Sequence, residues 1–512
     1  MISHAMKRLE AAGLTSSRAY FAFATALCIL LIVFALNDYP LPWSDSEGLC
    51  AAVSYAHGDG FLNMTHMTVR RFNPSLHHNY HGYLFQIILG KLLPHDGASH
   101  LIPRIITLMA AFVTLVSSII FFFVFKLRGA VFSWADATLA ALSLCAQAAV
   151  LMYLSGRAEI LSILFTSITI VLLYRFPRCA VITMGVTAGL QAAISPSEGA
   201  IWGLLSIAYF GVTGTRGLKS VLFAVISGVI SLLIFRLSFY CLYPFPFEEW
   251  LYFVRLNGKV SVGDVADPIS TFFFNFIAIP NTPALFFCLV FCMYACFAVM
   301  LKIKTKTLGY AMSAAAIVLL VVMLLVLGFC SGRNQNFQGS MPIFLCVLIY
   351  YFKNIAGLVA RGIAFLVTLI PALGFARCVL LFIVYCKDGV SLEHGLQLFE
   401  KIKLPDDGIY GGSRAVLFFT DDYKRLRFTA MADPDEIRNP LSSLNLNVPE
   451  LKMIILGQQG TGRLVPKECE GWEIVANYFV NKPPVVLGIK LGSAPPGYSF
   501  AVYKRKESSS DQ

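Results

Sequence analysis

The stretch AYFAFATALCILLIVFAL, residues 19–36, decides the fold class of this 512-residue chain. It contains no charged residue and is long enough to cross the hydrocarbon core of a bilayer with little tilt. Arg18 precedes it directly, and no small-residue cleavage site follows it. We therefore expect an uncleaved membrane anchor rather than a cleaved signal peptide.

The composition extends this prediction to most of the chain. Hydrophobic residues make up 57% of the sequence and charged residues only 13%, whereas soluble proteins carry about 25% charged residues. Apolar segments predict about eleven membrane-spanning helices in all, near 19–36, 103–126, 134–154, 157–174, 179–195, 199–212, 220–242, 280–301, 308–330, 338–352 and 362–386. The chain is thus expected to be a polytopic α-helical membrane protein. Its net charge of +11 indicates basic loops at a membrane surface rather than nucleic-acid binding.

Basic residues predict the orientation of these spans. They lie in alternate loops between the predicted spans, which places them on the same side as Lys7, Arg8 and Arg18. These loop residues are Lys126, Arg128, Arg175, Arg178, Arg216, Lys219, Lys302, Lys304, Lys306, Lys353 and Arg361. Because positively charged loops stay in the cytoplasm, the N-terminus is expected to be cytoplasmic. The first long loop, residues 37–102, and the C-terminal region are then extracytoplasmic.

The composition changes after Cys386 and predicts a domain boundary there. Residues 1–387 form the expected transmembrane domain, and residues 388–512 form a small extracytoplasmic α/β domain. In the segment SLEHGLQLFEKIK, one helical face would carry Leu392, Leu396, Phe399 and Ile402. Short strands are expected at AVLFF, LKMIIL, WEIVANYFV, VVLGIKL and YSFAVYK.

The first long loop, residues 37–102, concentrates the residues suited to chemistry. Seven of the nine histidines lie there, together with Asp45 and Glu47. Ser44 and Glu47 have the spacing of a helix capping box, which makes Asp45 the first helical residue, where the helix dipole favours an ionised carboxylate. Such a carboxylate can accept a proton from an attacking hydroxyl. The alternative reading is structural: Glu47 closes the helix start and Asp45 complements the dipole.

The histidines His77, His78 and His81 allow two interpretations. Imidazoles with a nearby carboxylate can bind a divalent metal ion. Histidines at a membrane interface can instead bind lipid headgroups or a donor sugar. No ligand set is assigned from spacing, so no cofactor is certain and a divalent metal ion is left open.

Four segments together resemble the GT-C superfamily of membrane glycosyltransferases, close to its protein-mannosyltransferase and aminoarabinose-transferase branches. They are WSDSEGLCAAVSYAHGDGF, HHNYHGYLFQIILGKLLP, SGRAEILSILFTSITIVLLYRF and GRNQNFQGSMPIFLCVLIYY. The resemblance covers roughly residues 15–350. It departs from the usual pattern at His77-His78-Asn79, where His-Pro-Pro is frequent. A lysine that often follows the fifth span is replaced here by Ser195-Pro196.

The resemblance implies an inverting transfer of a sugar from a polyprenyl-phosphate donor to an extracytoplasmic glycan, lipid or protein, at a bacterial inner or plasma membrane. Asp45 and Glu47 would be the catalytic carboxylates. Donor binding is implied for Arg333, Arg157, Glu159, Arg104, His77, His78 and His81. Each arginine can hold a lipid phosphate through paired hydrogen bonds, and each could instead be an interfacial anchor.

A transporter or flippase of lipid-linked sugars is the alternative function. Transporters place ionisable residues near the membrane midplane, on broken helices within repeated halves. In this chain the acidic residues cluster in the predicted outer loops, and no internal repeat is visible. The sequence therefore favours the enzyme.

Overall fold

The structure is a computed structural model. It describes residues 25–29, 52–58, 84–93, 101–116 (except 103, 107, 110 and 114), 159–213, 217–242, 247–248, 251, 308–323, 392–412, 419–420, 422, 424–428, 451–457, 472–478, 485–486, 488–490 and 500–506. This part of the chain is largely helical and includes a small sheet near its C-terminus. The coarse class expected from the sequence, apolar helices followed by a small α/β region, is confirmed at this level.

The described residues form seven α-helices, apart from shorter helical pieces at 25–29, 52–56 and within 102–116. They are α1 (Leu84–Leu92), α2 (Glu159–Arg175), α3 (Ala180–Ile194), α4 (Pro196–Thr213), α5 (Gly217–Leu242), α6 (Leu308–Met323) and α7 (Leu392–Glu400). The spans predicted at 157–174, 179–195 and 220–242 are confirmed as helices, each to within about three residues at either end.

Helix α5 is the one described helix that is long and apolar enough to cross a membrane. Its 26 residues extend about 39 Å, and a bilayer's hydrocarbon core is about 30 Å thick. Helices α2 and α3 pass the same test only as a pair, bent by 117° at Phe176. The total of about eleven spans stays a prediction, since many of the predicted segments lie outside the described residues.

Helices α2 and α3 fold back on each other and are joined by buried polar contacts. The hydroxyls of Thr169 and Thr187 are 2.7 Å apart. Nearer the start of α2, Gln191 Nε2 donates to the backbone oxygen of Ser162 at 3.0 Å. Hydrogen bonds between apolar helices replace the water that their polar side chains lose on burial.

Glycines on α3 bring α5 very close. A Cβ added at Gly185 would lie 2.7 Å from Cβ of Ile230, and one added at Gly189 would lie 2.7 Å from Cβ of Ile234. Because each glycine meets the residue 45 positions later, α3 and α5 run side by side in the same direction. A pair of glycines four residues apart at a helix interface is typical of helices that pack within membranes.

Helices α4 and α6 complete the packing. On α4, Trp202 packs with Met184 and Ala188 of α3, so α4 runs antiparallel to α3. Ser313 Oγ of α6 donates to the backbone oxygen of Ala208 at 2.8 Å. We refer to α2–α6 as the helical unit.

Because α2 and α4 run opposite to α3 and α5, the helical unit has two distinct ends. One end, the basic end, carries Arg175, Arg178 and Lys219, where α2 finishes and α3 and α5 begin. The opposite end, the carboxylate end, carries Glu159 and Glu198, where α2 and α4 begin.

The C-terminal region forms a mixed five-stranded sheet and a two-stranded hairpin. The strands are β1 (Ile409–Gly412), β2 (Leu426–Phe428), β3 (Leu451–Gly457), β4 (Trp472–Asn477), β5 (Val485–Val486), β6 (Ile489–Lys490) and β7 (Phe500–Arg505). The order in the large sheet is β2-β1-β3-β7-β4. Strand β1 pairs in parallel with β2 and β3, whereas β7 is antiparallel to β3 and β4. Gly488 turns the β5–β6 hairpin with a φ of 79°, a conformation that glycine adopts without strain.

Two polar side chains, Tyr410 and Arg425, hold the segments around β1 and β2 together. The fully buried Tyr410 hydroxyl lies 2.6 Å from Thr420 Oγ1 and donates to the backbone oxygen of Asp422 at 3.0 Å. Arg425 forms an ion pair with Asp422 and donates to the backbone oxygen of Pro405 at 2.8 Å. The hydrogen bond to Asp422 raises the pKa of Arg425. These bonds hold the chain that enters β2 against the chain that enters β1.

Most of the predicted C-terminal elements are present. Helix α7 buries Phe399, and Ile402 just beyond it is also buried, as the predicted face requires, while Leu398 joins them in the core. Strands are confirmed at LKMIIL, WEIVAN and FAVYK. The single strand predicted at VVLGIKL is wrong, because the chain turns back at Gly488 and forms the two short antiparallel strands β5 and β6. Strands β1 and β2 were not expected, and most of the predicted strand AVLFF lies outside the described residues. The division into domains 1–387 and 388–512 stays a prediction.

Candidate functional site

The carboxylate end of the helical unit contains a helix start built for an acidic residue. Ser195 separates α3 from α4 with a non-helical φ of −153° and ψ of 130°. The sequence Ser195-Pro196-Ser197-Glu198 has the spacing of a capping box, with proline at the first helical position and glutamate at the third. In the structure, the Ser195 backbone N–H donates to the Gln191 backbone oxygen and its hydroxyl lies 2.9 Å from Ser197 Oγ. The Ser195 backbone oxygen accepts the first helical hydrogen bond, from Gly199 N at 3.0 Å.

Glu198 is fully buried, with 0% of its surface exposed. The tight turn explains this burial, since a Cβ added at the next residue, Gly199, would lie 2.5 Å from Cβ of Ala192 on α3. A buried carboxylate is costly unless polar groups compensate it, and the positive end of the α4 dipole supplies part of that compensation. The fold therefore places an acidic side chain inside the helical unit rather than on its surface.

A polar seam runs between α2 and α3 close to this end, formed by Ser162, Thr166 and Gln191. All three residues are fully buried. Gln191 Nε2 donates to the Ser162 backbone oxygen and lies 3.3 Å from Thr166 Oγ1. Within the described residues, Ser162 Oγ and Gln191 Oε1 make no hydrogen bond. This seam can therefore bind a water molecule or a hydroxyl group that enters between the helices.

One cation also lies toward this end of the unit, near the end of α5. The guanidinium of Arg236 is 4.2 Å from the ring centroid of Phe247, a cation–π distance. The Phe247 ring meets Phe239 and Phe235 at centroid distances of 5.3 and 6.3 Å. The carboxylate end therefore combines the buried Glu198 and the buried amide of Gln191 with an exposed arginine that stacks on an aromatic cluster.

Two of the predicted site residues are described. Glu159 is the first residue of α2, at the carboxylate end, and its role in donor binding stays a prediction. Arg104 is half-buried and begins a helical run that extends to Val113. The others lie outside the described residues, and their roles stay predictions: Asp45, Glu47, His77, His78, His81, Arg157 and Arg333.

The question of a metal ion also stays open. Among the described residues, no group of three or more histidine, cysteine, aspartate or glutamate side chains is arranged to hold a metal ion. The histidines for which a metal was considered, His77, His78 and His81, are outside that part of the chain.

Comparisons of the chain with protein-family models, with curated proteins and with solved structures found no match. The resemblance to GT-C glycosyltransferases therefore rests on the four sequence segments alone.

Glu198 and Arg236 were not predicted as site residues. Glu198 follows Ser195-Pro196, and these polar residues were interpreted as a connection between spans; the serine–proline–glutamate spacing itself signals a helix start. Arg236 lies inside a predicted span. The span was predicted from the average hydropathy of its residues, and one charged residue changes that average little. An ionisable residue within an apolar helix is itself a signal of function.

Proposed function

We propose that this protein is an integral membrane glycosyltransferase that moves a sugar, with inversion, from a polyprenyl-phosphate donor to an extracytoplasmic glycan, lipid or protein. The observation that carries the proposal is the separation of charge along the helical unit, which gathers Glu159 and the buried Glu198 at the end opposite Arg175, Arg178 and Lys219. Acidic groups held at one end of apolar helices suit chemistry on a lipid-linked substrate.

The charge separation also supports the proposed orientation. Because basic residues favour the cytoplasmic side, the basic end of the helical unit faces the cytoplasm in this proposal. The carboxylate end then faces outward, on the same side as the loop 37–102 and the domain 388–512. This places Asp45, Glu47 and Glu159 in one compartment at the surface of a bacterial plasma membrane.

The proposed chemistry divides between acids and cations. Asp45 accepts the proton of the attacking hydroxyl, and Glu47 belongs to the same acidic site. Arg333, Arg157 and Arg104 hold the phosphate of the leaving group through charge-assisted hydrogen bonds, so that the departing lipid needs no strong general acid. His77, His78 and His81 contact the donor. Glu198 accepts a hydrogen bond from a substrate hydroxyl near the polar seam.

The test is direct transfer by the purified full-length protein. Radiolabelled polyprenyl-phosphate sugars, supplied one at a time with a membrane extract as acceptor, should yield a labelled product for one of them. Asp45→Asn keeps size and shape but cannot accept a proton, so turnover should fall by at least about 100-fold while donor binding persists. Glu47→Gln serves as the matched comparison, since glutamine still completes a capping box. Full turnover in a folded Asp45→Asn protein would contradict the mechanism.

A transporter of lipid-linked sugars is the second candidate, and two observations favour it. Polar side chains are buried between α2 and α3, and the helical path breaks at Ser195 between α3 and α4; polar groups and broken helices mark transport pathways in membranes. The two functions differ in their products. A transporter moves the intact lipid-linked sugar across proteoliposomes, whereas the enzyme forms a new glycosidic bond in detergent solution.

A further inference from the structure

Helix α5 carries a charge in an apolar setting. Arg236 lies six residues before the end of the helix at Leu242, which corresponds to about 9 Å along the axis. Its neighbours at spacings of three and four are Phe239, which is buried, and three exposed residues, Leu232, Leu233 and Tyr240, at 69%, 64% and 86% exposure. In a membrane these exposed side chains face lipid, so Arg236 lies where lipid chains meet their headgroups.

The surroundings of Arg236 leave its hydrogen-bond donors available. Stacking on Phe247 covers one face of the planar guanidinium, whereas its N–H groups point outward in the plane. The side chain is exposed. Among the described residues, no aspartate or glutamate forms an ion pair with Arg236. The Phe235–Phe239–Phe247 cluster fixes the ring on which it stacks.

We propose that Arg236, stacked on Phe247, binds the phosphate group of a membrane lipid. A planar guanidinium binds phosphate through two parallel hydrogen bonds, and a charge at this depth of an apolar helix is stabilised by such an anion. The exposed leucines beside it contact the lipid chain. The ligand is therefore an amphiphile with a phosphate headgroup and an apolar tail.

Two lipids share this chemistry. One is the polyprenyl-phosphate donor of the proposed function, on which this part of the inference rests; Arg236 would then add a phosphate-binding residue to that site. The other is the bulk anionic phospholipid of the membrane. Both lipids place a phosphate at the same depth of the membrane. The experiment separates them by comparing how strongly each one binds.

The experiment measures lipid binding to the purified full-length protein in phosphatidylcholine nanodiscs. The probes are a polyprenyl monophosphate, the corresponding polyprenol and phosphatidylglycerol. We expect the native protein to bind the polyprenyl monophosphate and not the alcohol. Arg236→Gln should weaken this binding at least about tenfold, the scale of a lost charge-assisted hydrogen bond. Arg236→Lys should restore it only in part, because an ammonium lacks the planar fork.

Lys219→Gln is the matched control, since it removes an exposed positive charge at the opposite end of the same helix. It should leave binding unchanged. Phe247→Leu should weaken binding several-fold by freeing the guanidinium, and this variant and Arg236→Lys carry the test if Arg236→Gln does not fold. A loss confined to phosphatidylglycerol assigns the site to bulk lipid, and a loss for polyprenyl monophosphate assigns it to the donor.

Unchanged binding of both phosphates in folded Arg236→Gln would overturn the inference and leave Arg236 as an interfacial anchor. This outcome is separate from failure of the proposed function. If the native protein transfers no sugar yet loses phosphate binding with Arg236→Gln, the phosphate site stands and the enzymatic proposal fails. If transfer occurs and phosphate binding is insensitive to Arg236, the enzymatic proposal stands alone.

Discussion

The basic end and the carboxylate end of the helical unit differ in more than the sign of their charges. At the basic end, Arg175, Arg178 and Lys219 are all exposed. At the carboxylate end, Glu198 has no exposed surface. Exposed cations at helix ends can anchor a protein in a membrane without any partner. A carboxylate without exposed surface cannot serve as such an anchor, because it does not lie at the protein surface.

This difference indicates where function is concentrated. Charge at the basic end is a property of the surface, and its removal should affect orientation more than activity. At the carboxylate end, the charge of Glu198 belongs to the interior, and its removal should affect ligand contacts. Two features of the molecule can be tested: the position of the two ends on opposite sides of a membrane, and the directions in which the helices run.

The largest expected effect is an all-or-none difference in labelling between the two ends. Cys179 at the basic end and Cys241 at the carboxylate end are both exposed free thiols. Two single-cysteine variants, one that keeps only Cys179 and one that keeps only Cys241, with every other cysteine of the chain replaced, should react oppositely with a membrane-impermeant maleimide. Cys241 should react in intact cells, whereas Cys179 should react only in inside-out vesicles. The reverse pattern would invert the proposed orientation, and labelling of both from one side would place the two ends in one compartment.

The next effect concerns the parallel packing of α3 on α5, which puts Arg178 and Lys219 at the same end. Gly189→Ala introduces a Cβ at 2.7 Å from the Ser231 backbone oxygen, and this overpacking should lower the free energy of unfolding by about 1–3 kcal/mol. The measurement is unfolding of the detergent-solubilised protein by heat or denaturant.

Gly228→Ala on α5 is the control for this substitution, since a Cβ there would meet nothing within 4 Å. It should be neutral or stabilise the helix by up to about 1 kcal/mol. Equal effects of Gly189→Ala and Gly228→Ala would show that α3 and α5 do not pack as described.

The smallest expected effect compares the two ends directly. Glu198→Gln keeps the shape of the side chain and loses its charge, so sugar transfer should fall about tenfold, equivalent to about 1.4 kcal/mol of transition-state stabilisation. Stability should change by no more than about 1 kcal/mol, the scale of one charge at a helix terminus. Arg178→Gln, at the basic end, should leave the transfer rate unchanged. If the two variants transfer sugar equally well, Glu198 only completes the start of α4.

The sequence predicted the helices more accurately than their ends. The apolar runs at 157–174, 179–195 and 220–242 were recognised because span length is a strong constraint. The start of α4 was expected at 199 and lies at Pro196, since Ser195, Ser197 and Glu198 are polar and average hydropathy assigns them to a loop. Their true role depends on helix capping, a local property that an average conceals.

Weak local signals explain what was missed elsewhere. Strand β1 ends in Gly411-Gly412, and glycine is unfavourable in strands, so only pairing with β2 and β3 identifies it. Strand β2 has three residues, too few for any periodicity. At the site, Glu159 was expected from the resemblance. Glu198 and Arg236 require knowledge of which helix ends meet, and this depends on contacts between segments far apart in sequence.

In the proposed membrane setting, the helices α2, α3 and α4 are shorter than α5, and this difference affects the surrounding bilayer. Helices α2, α3 and α4 contain 17, 15 and 18 residues, which correspond to about 22–27 Å, against about 39 Å for α5. A bilayer responds to such hydrophobic mismatch by thinning beside short helices, whereas long helices tilt. Lipid headgroups beside α2–α4 should thus lie closer to the membrane centre than those around α5. A locally thin bilayer lowers the barrier for a lipid-linked headgroup to reach the polar groups at Ser162 and Gln191.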